Sequence, residues 1–196
     1  MSRWVDVLNR LRASAQPASL APSQRRAAET VVSLLGSHGT VNLHGPPGSG
    51  KSYLGWVLAR ATGARVVATP SWLPSAESRG GHASRPTGGA DHGGWATTDL
   101  ADAVIVDGCL DARLAARVVM ADAHRAGFRR VLLVTRRPVG DHVPHVELRL
   151  DAVDVAAVLA GVAAAGWAVR ADTFGGVSLW DHVWHRGVDG ADLPGA

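Results

Sequence analysis

The chain has 196 residues, 46% of them apolar, and a formal net charge of +3. That length suits one compact domain, and the apolar content excludes a chain disordered throughout. The sequence pI near 9.9 accompanies so small a net charge that nucleic acid stays open as a partner without a basic patch being evident.

Residues 1–20, MSRWVDVLNRLRASAQPASL, carry charged and polar residues that interrupt every apolar run, so they fit neither a secretory leader nor a membrane span. The one cysteine, Cys109, cannot form an internal disulfide, which suits a reducing compartment. A soluble, cytoplasmic protein with no membrane partner is expected. Trp4, Val5, Leu8 and Leu11 share one helical face, so residues 1–22 read as an N-terminal helix and a Pro/Ala/Ser linker.

The core is expected over 23–160. SQRRAAETVVSLLGSHG reads as a helix capped at Ser23 and stopped by Gly36 and Gly39. TVNLHG is a short apolar strand, SYLGWVLARAT a helix and ARVVAT a second strand. Residues 74–94 are a Gly/His/Ser-rich loop without apolar periodicity, expected to be mobile. DAVIVDG is an unbroken β-branched run of the kind buried on both faces of a parallel sheet. DARLAARVVMADAHRAGF follows as a helix, RRVLLVT as a fourth strand, HVELRL as a fifth and DAVDVAAVLAGVAAAG as a closing helix. Residues 161–196 form a short cap and a polar tail, in which Trp180 and Trp184 stand one helical turn apart. Strands alternating with helices at these spacings predict an α/β fold on a mostly parallel five-stranded sheet.

Between the first strand and its helix stands HGPPGSGKSYLG, which holds the only lysine against nineteen arginines, twenty basic residues in all. Gly45, Gly50, Lys51 and Ser52 fit the phosphate-binding pattern G-x-x-x-x-G-K-S/T, in the strand-to-helix context it requires. Glycines let successive backbone N–H groups curl around a phosphate, and the helix N-terminus adds its positive dipole end. A compact ammonium at Lys51 can bridge two phosphates where a planar guanidinium would not fit. The Ser52 hydroxyl is a ligand for Mg²⁺. Asp107, ending AVIVDG, puts a carboxylate, the second oxygen ligand, at a strand tip beside this loop.

With Thr135 and Arg136 ending VLLVTRRP, these residues resemble the P-loop NTPases of the ASCE class, in particular small AAA-type and STAND-type ATPase domains, over residues 23–160. The resemblance implies a three-layer sandwich with strand order 5-1-4-3-2, and ATP or ADP with Mg²⁺ at the C-terminal strand tips. Carried over residue by residue, nucleotide contacts fall to Gly45, Gly48, Ser49, Gly50, Lys51, Ser52 and Tyr53, metal to Ser52 and Asp107, and a γ-phosphate sensor role to Thr135. Lys51, Asp107 and Thr135 would be the catalytic set. Arg136 and Arg137 face either the γ-phosphate, a partner or solvent.

Two departures bear on activity. Where the family has a glutamate after the Walker B aspartate, this chain has Gly108, and its three glutamates, Glu29, Glu77 and Glu147, lie elsewhere. Asp102 and Asp111 are near in sequence but not at the position of a base. Positioning of a general base contributes about 10² to 10⁴ in rate, so turnover is expected to be slow or to use another subunit's carboxylate. The C-terminal part is also short for a helical lid and holds only Arg170 and Arg186.

Three functions follow: an ATPase whose nucleotide state controls a protein partner, a homo-oligomer or nucleic-acid binding; a phosphotransferase, since GPPGSGKS and VIVDG also resemble uridine-kinase-like enzymes; or a non-hydrolysing adaptor. Against the kinase, TPSWLPS after the second strand lacks a substrate base. His82, Asp91 and His92 show no repeated metal-ligand spacing. Arg25 with Arg26, and Arg129 with Arg130, could touch nucleic acid, but isolated pairs at element ends are more often solvated.

Overall fold

The computed structural model describes residues 12–67, 95, 98–108 and 113–164, with 113–115 and 161–164 described by their backbone. A 3₁₀ turn at Pro17–Ser19 leads into helix α1 (Pro22–His38), strand β1 (Thr40–His44) and helix α2 (Lys51–Thr62). Strands β2 (Arg65–Val67) and β3 (Ala103–Asp107), helix α3 (Arg113–Arg125) and strand β4 (Arg130–Thr135) follow, then β5 (His145–Glu147) and helix α4 (Ala152–Ala164).

The five strands form one sheet in the order β2-β3-β4-β1-β5, every neighbouring pair parallel. This is the 5-1-4-3-2 order that the resemblance implies. Successive strand residues point to opposite faces, and the core divides accordingly. Val41, Leu43, Ile105, Leu132 and Val134 pack with Val31 of α1 and Leu54 and Leu58 of α2. Val104, Val106, Val131 and Leu133 pack with Val119 and Ala123 of α3. Helices therefore cover both faces, and the unbroken apolar runs of β3 and β4 are explained by burial on both sides. Each such Val, Leu or Ile contributes about 1.5–3 kcal/mol on burial.

Three local expectations are corrected. Helix α1 begins at Pro22 rather than being capped by Ser23: proline presets the helical φ and has no N–H to leave unpaired. The cap is made by Gln24, whose Oε1 accepts the Ala21 amide at 3.0 Å, while the Ser23 amide donates to Asp154 Oδ1 at 2.7 Å. The helix runs through Gly36 and turns at Gly39, with φ of 72°. Strand β5 is three residues long, not six. The Leu148 amide still donates to the His44 carbonyl at 2.7 Å, but β1 then turns away and leaves Arg149 and Leu150 no ladder.

The stretch read as a linker packs on the domain. Ala15 and Leu20 are buried in the same core as α1 and α2. The Arg12 guanidinium stacks 5.2 Å over the Trp56 ring, and Arg60 donates to the Ala13 carbonyl. No helix among the described residues is long and apolar enough to cross a membrane. Several expectations lie outside the described residues: the helix over 1–11, the 74–94 loop with Glu77, His82, Asp91 and His92, and Cys109, Asp111 and the segment from 165 with Arg170, Trp180, Trp184 and Arg186.

Candidate functional site

The loop between β1 and α2 is shaped by its glycines. Gly45, Gly48 and Gly50 have φ of 156°, 75° and 82°, conformations that side chains disfavour. Space excludes a side chain as well: a Cβ at Gly45 would lie 2.2 Å from the Leu148 carbonyl oxygen, and one at Gly50 2.2 Å from Gln24 Nε2. Gly50 closes the loop as the residue before α2, and its carbonyl accepts the Leu54 amide at 2.9 Å. The free N–H groups of the first α2 turn, with Lys51, Ser52 and Tyr53, thus open where the loop ends.

Lys51 bends back over this loop. Its ammonium donates to the Gly45 carbonyl at 2.8 Å, the Pro46 carbonyl at 2.7 Å and Ser49 Oγ at 3.3 Å. Three N–H bonds meet three converging acceptors, a pattern suited to an ammonium and not to a flat guanidinium fork. Burial lowers the proton affinity of Lys51, the nearby Asp107 carboxylate works against that, and the Arg136 charge adds to it.

Asp107 ends β3, with the Ser52 side chain and the Gly108 amide beside its carboxylate and favouring its charged form. Burial raises its pKa; the Ser52 side chain, the Lys51 charge, the Gly108 amide and the Arg12 charge pull it back only in part. The two charges, Lys51 and Asp107, are each held where water solvates them poorly. Ser52 and Asp107 supply hard oxygen donors, the set Mg²⁺ prefers, but two are too few to hold the ion without phosphate oxygens and water.

Thr135 ends β4 in register with His44, the residue preceding Gly45. Its buried hydroxyl donates to the Arg137 carbonyl at 2.6 Å and accepts Asn42 Nδ2 at 2.8 Å. Arg136 and Arg137 are exposed. Tyr53 points elsewhere: Ser19 gives its proton to the Gln16 carbonyl, so the Tyr53 hydroxyl donates to Ser19 Oγ at 2.6 Å. What Tyr53 offers the loop is its main-chain amide.

The structure thus gathers Gly45, Gly48, Ser49, Gly50, Lys51, Ser52 and Asp107 at one place, with Thr135 on the adjacent strand tip. It offers no replacement for the missing glutamate among the described residues. Gly108 has φ of 93°. Asp102 sits at the opposite end of β3, paired with Arg130 at 3.1 Å. Glu147 pairs with Arg149 at 2.6 Å, and Glu29 lies on exposed α1 surface.

Three residues that sequence reasoning passed over line the same end. Gln24 caps α1 and packs under Gly50. Asn42 joins β1 to β4. His44 is 6% exposed with its Nε2 unpartnered, its ring 5.3 Å from that of His145, and burial lowers its pKa. The available signal was a polar residue at alternate positions of an otherwise apolar strand, TVNLH. No family model matches the chain, and no curated protein or solved structure matches it either.

Proposed function

We propose that this chain is a P-loop nucleotide-binding protein of the ASCE class, a three-layer sandwich that takes ATP or ADP with Mg²⁺ and resembles a small AAA-type or STAND-type ATPase domain. The observation that carries the reading is the convergence of the Lys51 ammonium with Ser52 and Asp107 at the mouth of a loop in which Gly45 and Gly50 have no room for a Cβ. Half-buried, incompletely compensated charges of opposite sign mark a site suited to a charged ligand. Phosphates would be held by Lys51 and the loop amides, and Mg²⁺ by Ser52 with Asp107 holding its water. Bound Mg²⁺ supplies neutralisation of charge on the phosphates.

A binding switch that hydrolyses slowly or not at all is favoured over an efficient ATPase by Gly108. Its φ of 93° is one that a glutamate adopts only under strain, so the backbone itself is set against the family's base. Nucleotide state would then control a protein partner, a second copy or nucleic acid. The test is turnover and phosphate transfer by the purified full chain, with Lys51→Ala and Asp107→Ala beside it, with and without DNA and with a panel of nucleosides. Mg-dependent ATP binding with little turnover is expected; phosphate appearing on a nucleoside would replace this reading with the kinase.

A further inference from the structure

Asn42 lies in the middle of β1, fully buried, three residues before the phosphate loop. An apolar residue would fill that place in a strand flanked by Val41 and Leu43. Instead the carboxamide is used on both sides. Its Nδ2 donates to the Leu133 carbonyl at 3.1 Å and Thr135 Oγ1 at 2.8 Å, and its Oδ1 accepts the Val139 amide at 3.1 Å. The Asn42 main-chain amide also donates to the Pro144 carbonyl at 2.8 Å. One residue thus holds the start, the middle and the end of the segment joining β4 to β5. Thr135 extends the grip by donating to the Arg137 carbonyl at 2.6 Å.

Arg136 stands between the two fixed residues. Its backbone is held on either side, while its side chain is exposed and makes no ion pair among the described residues. We infer that Asn42 is a positioning residue that lets the chain distinguish a nucleoside triphosphate from a diphosphate, by fixing the segment that presents Arg136 to the phosphate loop. The inference rests on the nucleotide reading above. Loop amides and Lys51 suffice for a diphosphate; the added charge of a terminal phosphate is what a second cation at this tip would recognise. Thr135 is in register with His44, the residue before Gly45, so Arg136 follows directly at the strand tip beside the phosphate loop.

The test is calorimetric titration of the full chain with Mg-ADP and with the Mg complex of the β,γ-imido analogue of ATP. The variants are Asn42→Ala, Asn42→Leu, Arg136→Ala and the double variant Asn42→Ala/Arg136→Ala. Asn42→Leu removes the carboxamide with its volume kept, and serves if Asn42→Ala does not fold. Loss of one charge-assisted contact predicts that Asn42→Ala or Asn42→Leu lowers the triphosphate-to-diphosphate affinity ratio about tenfold, with ADP affinity within about twofold of wild type. In the Arg136→Ala background the further loss of Asn42 should leave the ratio unchanged, because both act through one cation. A residue that only stabilises the sheet would weaken both nucleotides together. An unchanged ratio, or equal loss of both affinities, overturns the role of Asn42 while leaving nucleotide binding intact; failure of wild type to bind either nucleotide overturns the nucleotide reading and this inference with it.

Discussion

Glycine-to-alanine substitutions at positions 36 and 45 add the same methyl group and should move stability in opposite directions. Gly36 lies inside α1, and a Cβ there meets nothing within 4 Å. Alanine at that position should stabilise the protein by about 0.5–1 kcal/mol, the ordinary preference of a helix interior. At Gly45 the new Cβ falls 2.2 Å from the Leu148 carbonyl oxygen on a residue with φ of 156°. That oxygen belongs to backbone tied to β1 through the Leu148 amide and the His44 carbonyl, so it cannot rotate aside as a side-chain tip could. A strained φ costs of order 1–3 kcal/mol and an overpacked site about 1–3 more, so about 2–6 kcal/mol is expected in all. In a chain of this size that lowers Tm by about 4–24 °C, at about 2–4 °C per kcal/mol. Urea unfolding without nucleotide, followed by circular dichroism, reads both changes. If Gly45→Ala lay within about 0.5 kcal/mol of wild type, the range of ordinary surface changes, or if the two variants shifted the same way, the close approach that shapes the loop would be refuted.

Asp154 joins α4 to α1, its two carboxylate oxygens accepting the Ser23 and Asp151 amides at 2.7 and 3.0 Å. Burial pushes its pKa up, but bonds from the Ser23 hydroxyl and amide and the Asp151 amide more than offset this, and the Arg26 charge helps, leaving it below the ordinary value. Its contribution is therefore present above the unfolded carboxylate value of about 3.9 and is lost as pH falls through the lower folded value. Asp154→Asn should cost about 1–3 kcal/mol near neutral pH, and chemical denaturation at falling pH should show wild type and variant converging below the unfolded value; a gap independent of pH would contradict the bonding described. At Gly108, with φ of 93°, glutamate should cost about 1–2 kcal/mol in stability and leave ATP turnover slow, because the strained backbone does not present the carboxylate as a base. A stable Gly108→Glu variant with rapid turnover in a phosphate-release assay would show that only the side chain was missing.

What could be read along the chain was what is local. The phosphate-loop pattern is consecutive, so its glycines, its lysine and its serine were legible together, and β3 and β4 were legible because parallel strands buried on both faces write unbroken apolar runs. Bounds failed where a second element decides them. Ser23 looks like a cap, but Pro22 starts α1 and the Ser23 amide goes to Asp154, 131 positions away. HVELRL looks like a six-residue strand, yet β5 ends at Glu147 because its neighbour β1 turns into the loop. Asn42 escaped for the same reason: its partners Leu133, Thr135 and Val139 stand 91, 93 and 97 positions on. A single asparagine in an apolar strand marks that such partners exist, without saying which.

The most direct test of the account is equilibrium binding of Mg-ATP and Mg-ADP to the full wild-type chain and to Lys51→Ala. The geometry of the Lys51 ammonium, donating to Gly45, Pro46 and Ser49 around the loop, predicts saturable, Mg-dependent binding to wild type. Loss of a charged hydrogen-bonding group, worth about 1.5–3 kcal/mol, predicts that Lys51→Ala weakens it by about 10- to 200-fold. Absence of binding to wild type, or equal binding to a folded Lys51→Ala variant, would contradict the claim that the chain's one lysine is there to hold phosphate.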